Sequence, residues 1–224
     1  MKHAEANKTS KNRIYGELRR VIIMGHCQPN ERLDVKALAQ SYGSSVTPVR
    51  DALHMLAQEG LVSIKSRSGY FVTHVTLKEL RDLLELREIL EVAAIERAVE
   101  NMTDAQIEQL ERIHAGYTGD DDESYNRYTD ENRRFHYLIA EVSGNAELAA
   151  MLGHLHDRMA RFMVLRRAGA TQDQTHARIV RAIRARDVAE ARQAMLDEIR
   201  ETRDVLLDRV MRKEGANWGI GTVS

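Results

Sequence analysis

The sequence predicts a mostly α-helical protein: an N-terminal winged helix-turn-helix followed by an all-helical antiparallel bundle. Three observations carry this reading. Residues 36–56, KALAQSYGSSVTPVRDALHML, hold two apolar helical patterns around a short polar turn. Two short apolar runs, Val62-Ser63-Ile64-Lys65 and Tyr70-Phe71-Val72-Thr73, flank the polar turn Ser66-Arg67-Ser68-Gly69, which reads as a β-hairpin. From Leu77 onward the apolar spacing is helical almost without interruption.

The elements follow in order. Ile14, Leu18, Val21 and Ile22 mark one face of a helix from Arg13 to Met24. Leu38 and Ala39 lie on the first helix of the pair. Val49, Ala52, Leu53 and Leu56 recur at i, i+3, i+4 and i+7 on the second. Gly43 supplies a turn residue able to take φ > 0, and the following serines can cap the second helix. Pro48 falls in its first turn, where a missing N–H costs no intrahelical bond. Gly60 stands in the C′ position at its end. A helix, a helix-turn-helix and a hairpin wing form a DNA-binding unit that lays its second helix in the major groove.

In the second half, helices are expected at 77–100, from Thr103, and at about 124–142, 146–168, 172–185 and 188–212. Leu80, Leu83, Leu84, Leu86, Leu90 and Ala94 mark the first. Thr103 and Asp187 are cap residues for two others. Residues 1–12 read as a flexible arm, 119–123 as a solvated acidic loop and 213–224 as a tail.

Composition narrows the classes. The chain is 43% hydrophobic and 5% aromatic, with two prolines. It has no apolar run of membrane-spanning length, and its N-terminus lacks a signal-like apolar stretch. The single Cys27 fits a reducing, cytoplasmic setting. The net charge of −1 hides an asymmetry: residues 1–75 carry +5 and the remainder −6. The basic half is the half with the winged helix, as phosphate contacts require.

Residues 13–72 resemble the N-terminal domain of the GntR family of bacterial transcription regulators. The resemblance rests on Tyr15, Leu18, Ile22 and Gly25, on Pro29-Asn30-Glu31-Arg32-Leu33, and on Thr47-Pro48-Val49-Arg50-Asp51-Ala52-Leu53. Glu59-Gly60-Leu61-Val62 and Gly69-Tyr70-Phe71-Val72 complete it. It assigns residues 13–75 to DNA binding. The candidate contacts are Lys36, Ser45, Val46, Thr47, Pro48, Arg50, Arg67 and Gly69. Two positions depart from the family pattern. Val46 stands where Arg is usual, and Ser68 stands where a basic residue often precedes the hairpin glycine.

Residues 77–212 resemble the FCD ligand-binding domain of the FadR branch, in its shorter six-helix, VanR-like form. The matched pieces are Leu86-Arg87, Leu90-Glu91, Phe135-His136, Ser143-Gly144-Asn145, and His176 to Met195. Many members of that family hold a divalent metal with one Asp and three His. Carried over, the positions are Asn132, His136, His176 and Glu198, with Asn132 for Asp and Glu198 for one His. Asn132 and His136 are i, i+4 and share a helix face. Such a donor set suits Zn²⁺, Ni²⁺, Mn²⁺ or Fe²⁺. The same residues also suit a metal-free polar pocket. Arg87 is placed either to clamp a carboxylate bidentately or to pair with Glu85 or Glu91 on the surface. Arg161 is a weaker effector-binding candidate. His154 and His156 are two apart, so at most one of them lines a pocket.

The function expected from these readings is a transcription regulator. It would act as a homodimer on a palindromic double-stranded operator, with DNA binding relieved by a small organic acid. No catalytic residue is assigned. The competing class is a metal-dependent hydrolase built on His136, His176 and Glu198 and fused to a DNA-binding domain. The winged helix weighs against it. A third class is an architectural DNA-binding protein that responds to no small molecule.

Overall fold

The computed structural model describes residues 2–113, 122–166 and 170–211. The chain divides between Thr76 and Leu77 into two compact units. Residues 119–121 of the acidic run and the tail 213–224 lie outside the described residues.

The first unit opens with α1 (Lys2–Ile23), followed by β1 (Arg32–Leu33), α2 (Val35–Ser41), α3 (Val46–Gln58), β2 (Val62–Lys65) and β3 (Gly69–Val72). The helix expected from Arg13 therefore begins at Lys2, and residues 2–12, expected as a flexible arm, are its first turns. Apolar periodicity could not mark them, because the segment KHAEANKTSKN is almost wholly polar. Ile14, Leu18, Ile22 and Ile23 of α1 are buried and pack against α3, which buries Pro48, Val49, Ala52, Leu53 and Leu56. Asp34 caps α2 by accepting from the N–H groups of Lys36 and Ala37 at 2.8 and 3.0 Å. Gly43, in the turn before α3, has φ +57°, a conformation that a side chain disfavours.

The sheet has the order β1-β3-β2 and is antiparallel throughout. β2 and β3 pair from Val62↔Val72 to Lys65↔Gly69. The wing turn is tight: Ser68 N–H donates to Lys65 O at 3.0 Å. Gly69 takes φ +106° there. β1, a two-residue strand, is too short for any alternation to announce it.

The second unit holds six described helices. They are α4 (Leu77–Asn101), α5 (Asp104–Ile113), α6 (Asp122–Val142), α7 (Ala146–Arg166), α8 (Ala170–Arg184) and α9 (Val188–Met211). α4 packs against α6, α7 and α9, and α9 also packs against α7 and α8. Thr103 and Gln106 cap α5 reciprocally: Thr103 N–H donates to Gln106 Oε1 at 2.9 Å, and Gln106 N–H to Thr103 Oγ1 at 3.4 Å. Asn145 caps α7 through Leu148 N–H at 3.1 Å, and Asp187 caps α9 through Glu190 N–H at 2.9 Å. Not every leucine that marks α4 points inward. Leu86 is exposed, while Arg87 and Glu91 are buried along with Leu80, Leu84 and Ile95. A charged pair therefore stands at core positions of this helix.

Candidate functional site

In the first unit, Ser45 occupies the N-cap of α3 with extended backbone, but its hydroxyl makes no cap hydrogen bond. Ser45, Thr47 and Arg50 are exposed, and Val46 is partly so. Lys36 is exposed on α2, and Arg67 is exposed at the wing turn, where its φ is +62°. Gly69 is half-buried beside it. Pro48 is buried in the first turn of α3, where its missing N–H costs no intrahelical bond.

Two ties hold this surface in place, and neither is visible from spacing. Tyr70 Oη and His54 Nε2 lie 3.2 Å apart and join the wing to α3. Glu59, at the C-cap of α3, receives Arg19 Nε at 3.2 Å and the Tyr15 hydroxyl, both from α1. Exposed cationic and hydroxyl side chains on a rigid helix, with a basic wing tip, can engage phosphates and base edges.

The second unit is built around a buried polar cluster. Arg87 is fully enclosed. Its Nε donates to Glu91 Oε1 at 2.6 Å, and its Nη2 lies 3.2 Å from both Glu198 Oε2 and His136 Nε2. Glu91 also receives His156 Nε2 at 2.9 Å and contacts His136 Nδ1. Thr202 Oγ1 donates to Glu198 Oε1 at 3.3 Å. The His176 ring stacks on Phe135 with centroids 3.9 Å apart.

Burial alone would raise the Glu91 carboxyl. The Arg87 guanidinium and the two imidazoles more than offset that and hold it well below the usual carboxylate range. Burial alone would lower Arg87, but Glu91 and Glu198 keep it firmly charged. Burial pushes the His156 ring down, against the pull of Glu91.

Three of the four residues carried over as metal ligands lie together. Ligand atoms of His136, His176 and Glu198 lie within 4.8 Å of one another, and Asn132 is buried one turn before His136. A second group of the same kind, Glu91, His136 and His156, shares His136. Arg87 is buried, which decides against a surface pair, although Glu91 is indeed one of its partners. His156 is buried and His154 exposed, so one of the two faces inward. The side chain of Arg161 lies outside the described residues. Glu91 and His156 were not identified as site residues from the sequence. Their advance signals are that Glu91 falls in a matched FCD piece and that one of His154 and His156 could line a pocket.

Residues 10–72 match the family of bacterial regulatory proteins of the gntR type, and residues 82–201 match the FCD domain. The chain belongs to the GntR family. Its two units are the DNA-binding and FCD domains of a transcription regulator. An uncharacterized HTH-type regulator from an unstable DNA locus of Streptomyces ambofaciens is 31% identical over 88% of this chain and 85% of its own length. The HTH-type transcriptional repressor GlaR of Escherichia coli is 29% identical over 81% of this chain and 88% of its own. The structure of E. coli McbR/YncC superposes with a TM-score of 0.70, covering 89% of this chain and 98% of that one, at 23% identity. These relatives are transcription regulators, and the hydrolase reading finds no support among them.

Proposed function

We propose that this GntR-family regulator is a repressor whose FCD domain releases DNA on binding a small carboxylate. One observation carries the effector class. Arg87 Nη1 is buried with no hydrogen-bond partner among the described residues. A buried guanidinium N–H costs free energy until an acceptor reaches it, and a carboxylate is the acceptor whose geometry matches. Repression is supported by the relatives named as repressors, GlaR among them. A homodimer on a palindrome follows from the docking of two recognition helices on two half-sites. No described helix is long and apolar enough to cross a membrane. Work on cytoplasmic DNA is the setting this reading requires.

The test is a screen of small mono- and dicarboxylates against purified protein, read by thermal shift and then by gel-shift with operator DNA. The expected result is an acid that raises the melting temperature and weakens DNA binding. Linkage then requires DNA to weaken binding of that acid by the same factor. A regulator that binds its operator but ignores every acid, while responding to amines or sugars, contradicts the carboxylate assignment.

A further inference from the structure

The metal positions carried over from the FCD resemblance differ in this chain at two of four places, Asn132 and Glu198, and the structure shows what accompanies the second change. Glu198 Oε2 and His136 Nε2 stand 3.6 Å apart, a spacing suited to two ligands of one ion. Arg87 Nη2 lies 3.2 Å from each of them. A guanidinium only donates, so His136 Nε2 must accept, and its lone pair points at Arg87. That lone pair is the one a metal would need. Glu91 lies against Nδ1 on the opposite side of the ring, so Nε2 is the nitrogen that faces the cluster.

An ion bound at ~2.0–2.2 Å from both donors on the side of Arg87 would overlap Nη2. On the far side it would face a guanidinium pinned by Glu91 at 2.6 Å. With Arg87 in this position, the pair His136 and Glu198 does not also fit a divalent ion. A histidine at 198 would leave Arg87 with Glu91 as its anionic partner. Glutamate at 198 adds a second one at 3.2 Å, so the one carboxylate among the four positions is turned to Arg87.

We propose that the guanidinium of Arg87 takes the place of the divalent ion, so that the effector site of this chain is metal-independent and a fixed organic cation receives the effector. The inference rests on the geometry of the cluster. It stands whether or not the effector is a carboxylate.

The experiment measures metal directly on the full-length protein. Wild type is purified without chelator, incubated with excess Zn²⁺, Ni²⁺, Mn²⁺ or Fe²⁺, desalted, and analysed by mass spectrometry for bound metal. Melting curves are recorded with and without EDTA. The triple variant Arg87→Met, Asn132→Asp, Glu198→His is treated in the same way. Wild type should retain no stoichiometric ion and melt at the same temperature under all conditions. The triple variant should take up one ion per chain and melt higher with it, because a ligand that binds only the folded state stabilises that state. A wild-type protein that keeps one ion per chain and loses stability in EDTA overturns the proposal. That arm is decisive even if the variant does not fold. A folded triple variant that binds no metal overturns the claim that Arg87 is what stands in the ion's place. Neither readout involves DNA, so failure here is distinct from failure of the regulatory reading.

Discussion

Arg87 on α4 donates to Glu198 on α9 at 3.2 Å, with both side chains out of contact with water. Taking two charges out of water costs several kcal/mol per ion, and their attraction seldom returns more than that. A second carboxylate, Glu91, and two imidazoles complete the group. Packed apolar residues would hold these helices together at least as well, so stability alone does not account for the cluster. Buried groups with displaced pKa values concentrate at functional sites, and this one lies at the heart of the domain that relatives of this architecture use for ligand binding.

Removing Arg87 leaves two buried carboxylates without their cation. Arg87→Met should therefore destabilise the protein by ~3–5 kcal/mol, the range for breaking one side of a buried pair. Equilibrium denaturation in urea measures it. A loss below ~1 kcal/mol would mean that the group is open to solvent and the guanidinium not enclosed as described.

His136→Ala and His176→Ala should abolish the response to effector while leaving operator affinity largely intact. Both histidines are buried in the FCD domain, and the DNA-contacting residues belong to a different unit. Gel-shift titrations with and without effector decide this. Variants that respond normally would place the effector elsewhere.

Arg50 is exposed on α3, one turn past Val46. Arg50→Ala should weaken operator binding by ~1–3 kcal/mol if it reads a guanine. Val46 can pack on a thymine methyl but cannot pair with guanine, so Val46→Arg should shift the preferred base at one position of each half-site. Sequence preference unchanged by that substitution would remove Val46 from base readout.

Glu59 ties the end of α3 to α1 through Arg19 and Tyr15. Glu59→Ala removes the acceptor that two part-buried side chains share and should cost ~1 kcal/mol. Unfolding of the full chain, followed by a probe in the first unit, measures it. No change would show that the packing of Ile14, Leu18 and Ile22 alone sets the position of α3.

Much of this architecture was legible in the sequence because its signals are local. The spacing of Val49, Ala52, Leu53 and Leu56 marked α3, and Thr103 and Asp187 stand at helix starts. Of the four carried-over pocket positions, two of them on the i, i+4 face of α6, His136, His176 and Glu198 lie together and Asn132 is buried. The parts that were not legible depend on distant partners. β1 exists because Glu31–Leu33 meets β3, with Arg32 opposite Phe71. Glu91 and His156 meet only where α4 packs against α7, and Leu86, one of the residues that mark α4, is exposed on it. That Pro48, part of the matched motif, is buried could be learned only from the fold.

The central claim is that α3 and the wing read a defined operator as one half of a two-fold complex. Selection of binding sites from random duplex DNA, run in parallel on wild type and Arg50→Ala at one salt concentration, tests it most directly. Wild type should enrich a short inverted repeat whose two halves lie about one helical turn apart, and Arg50→Ala should lose preference at one base pair in each half. Enrichment of no sequence, or of the same sequence by both proteins with equal strength, would contradict the claim.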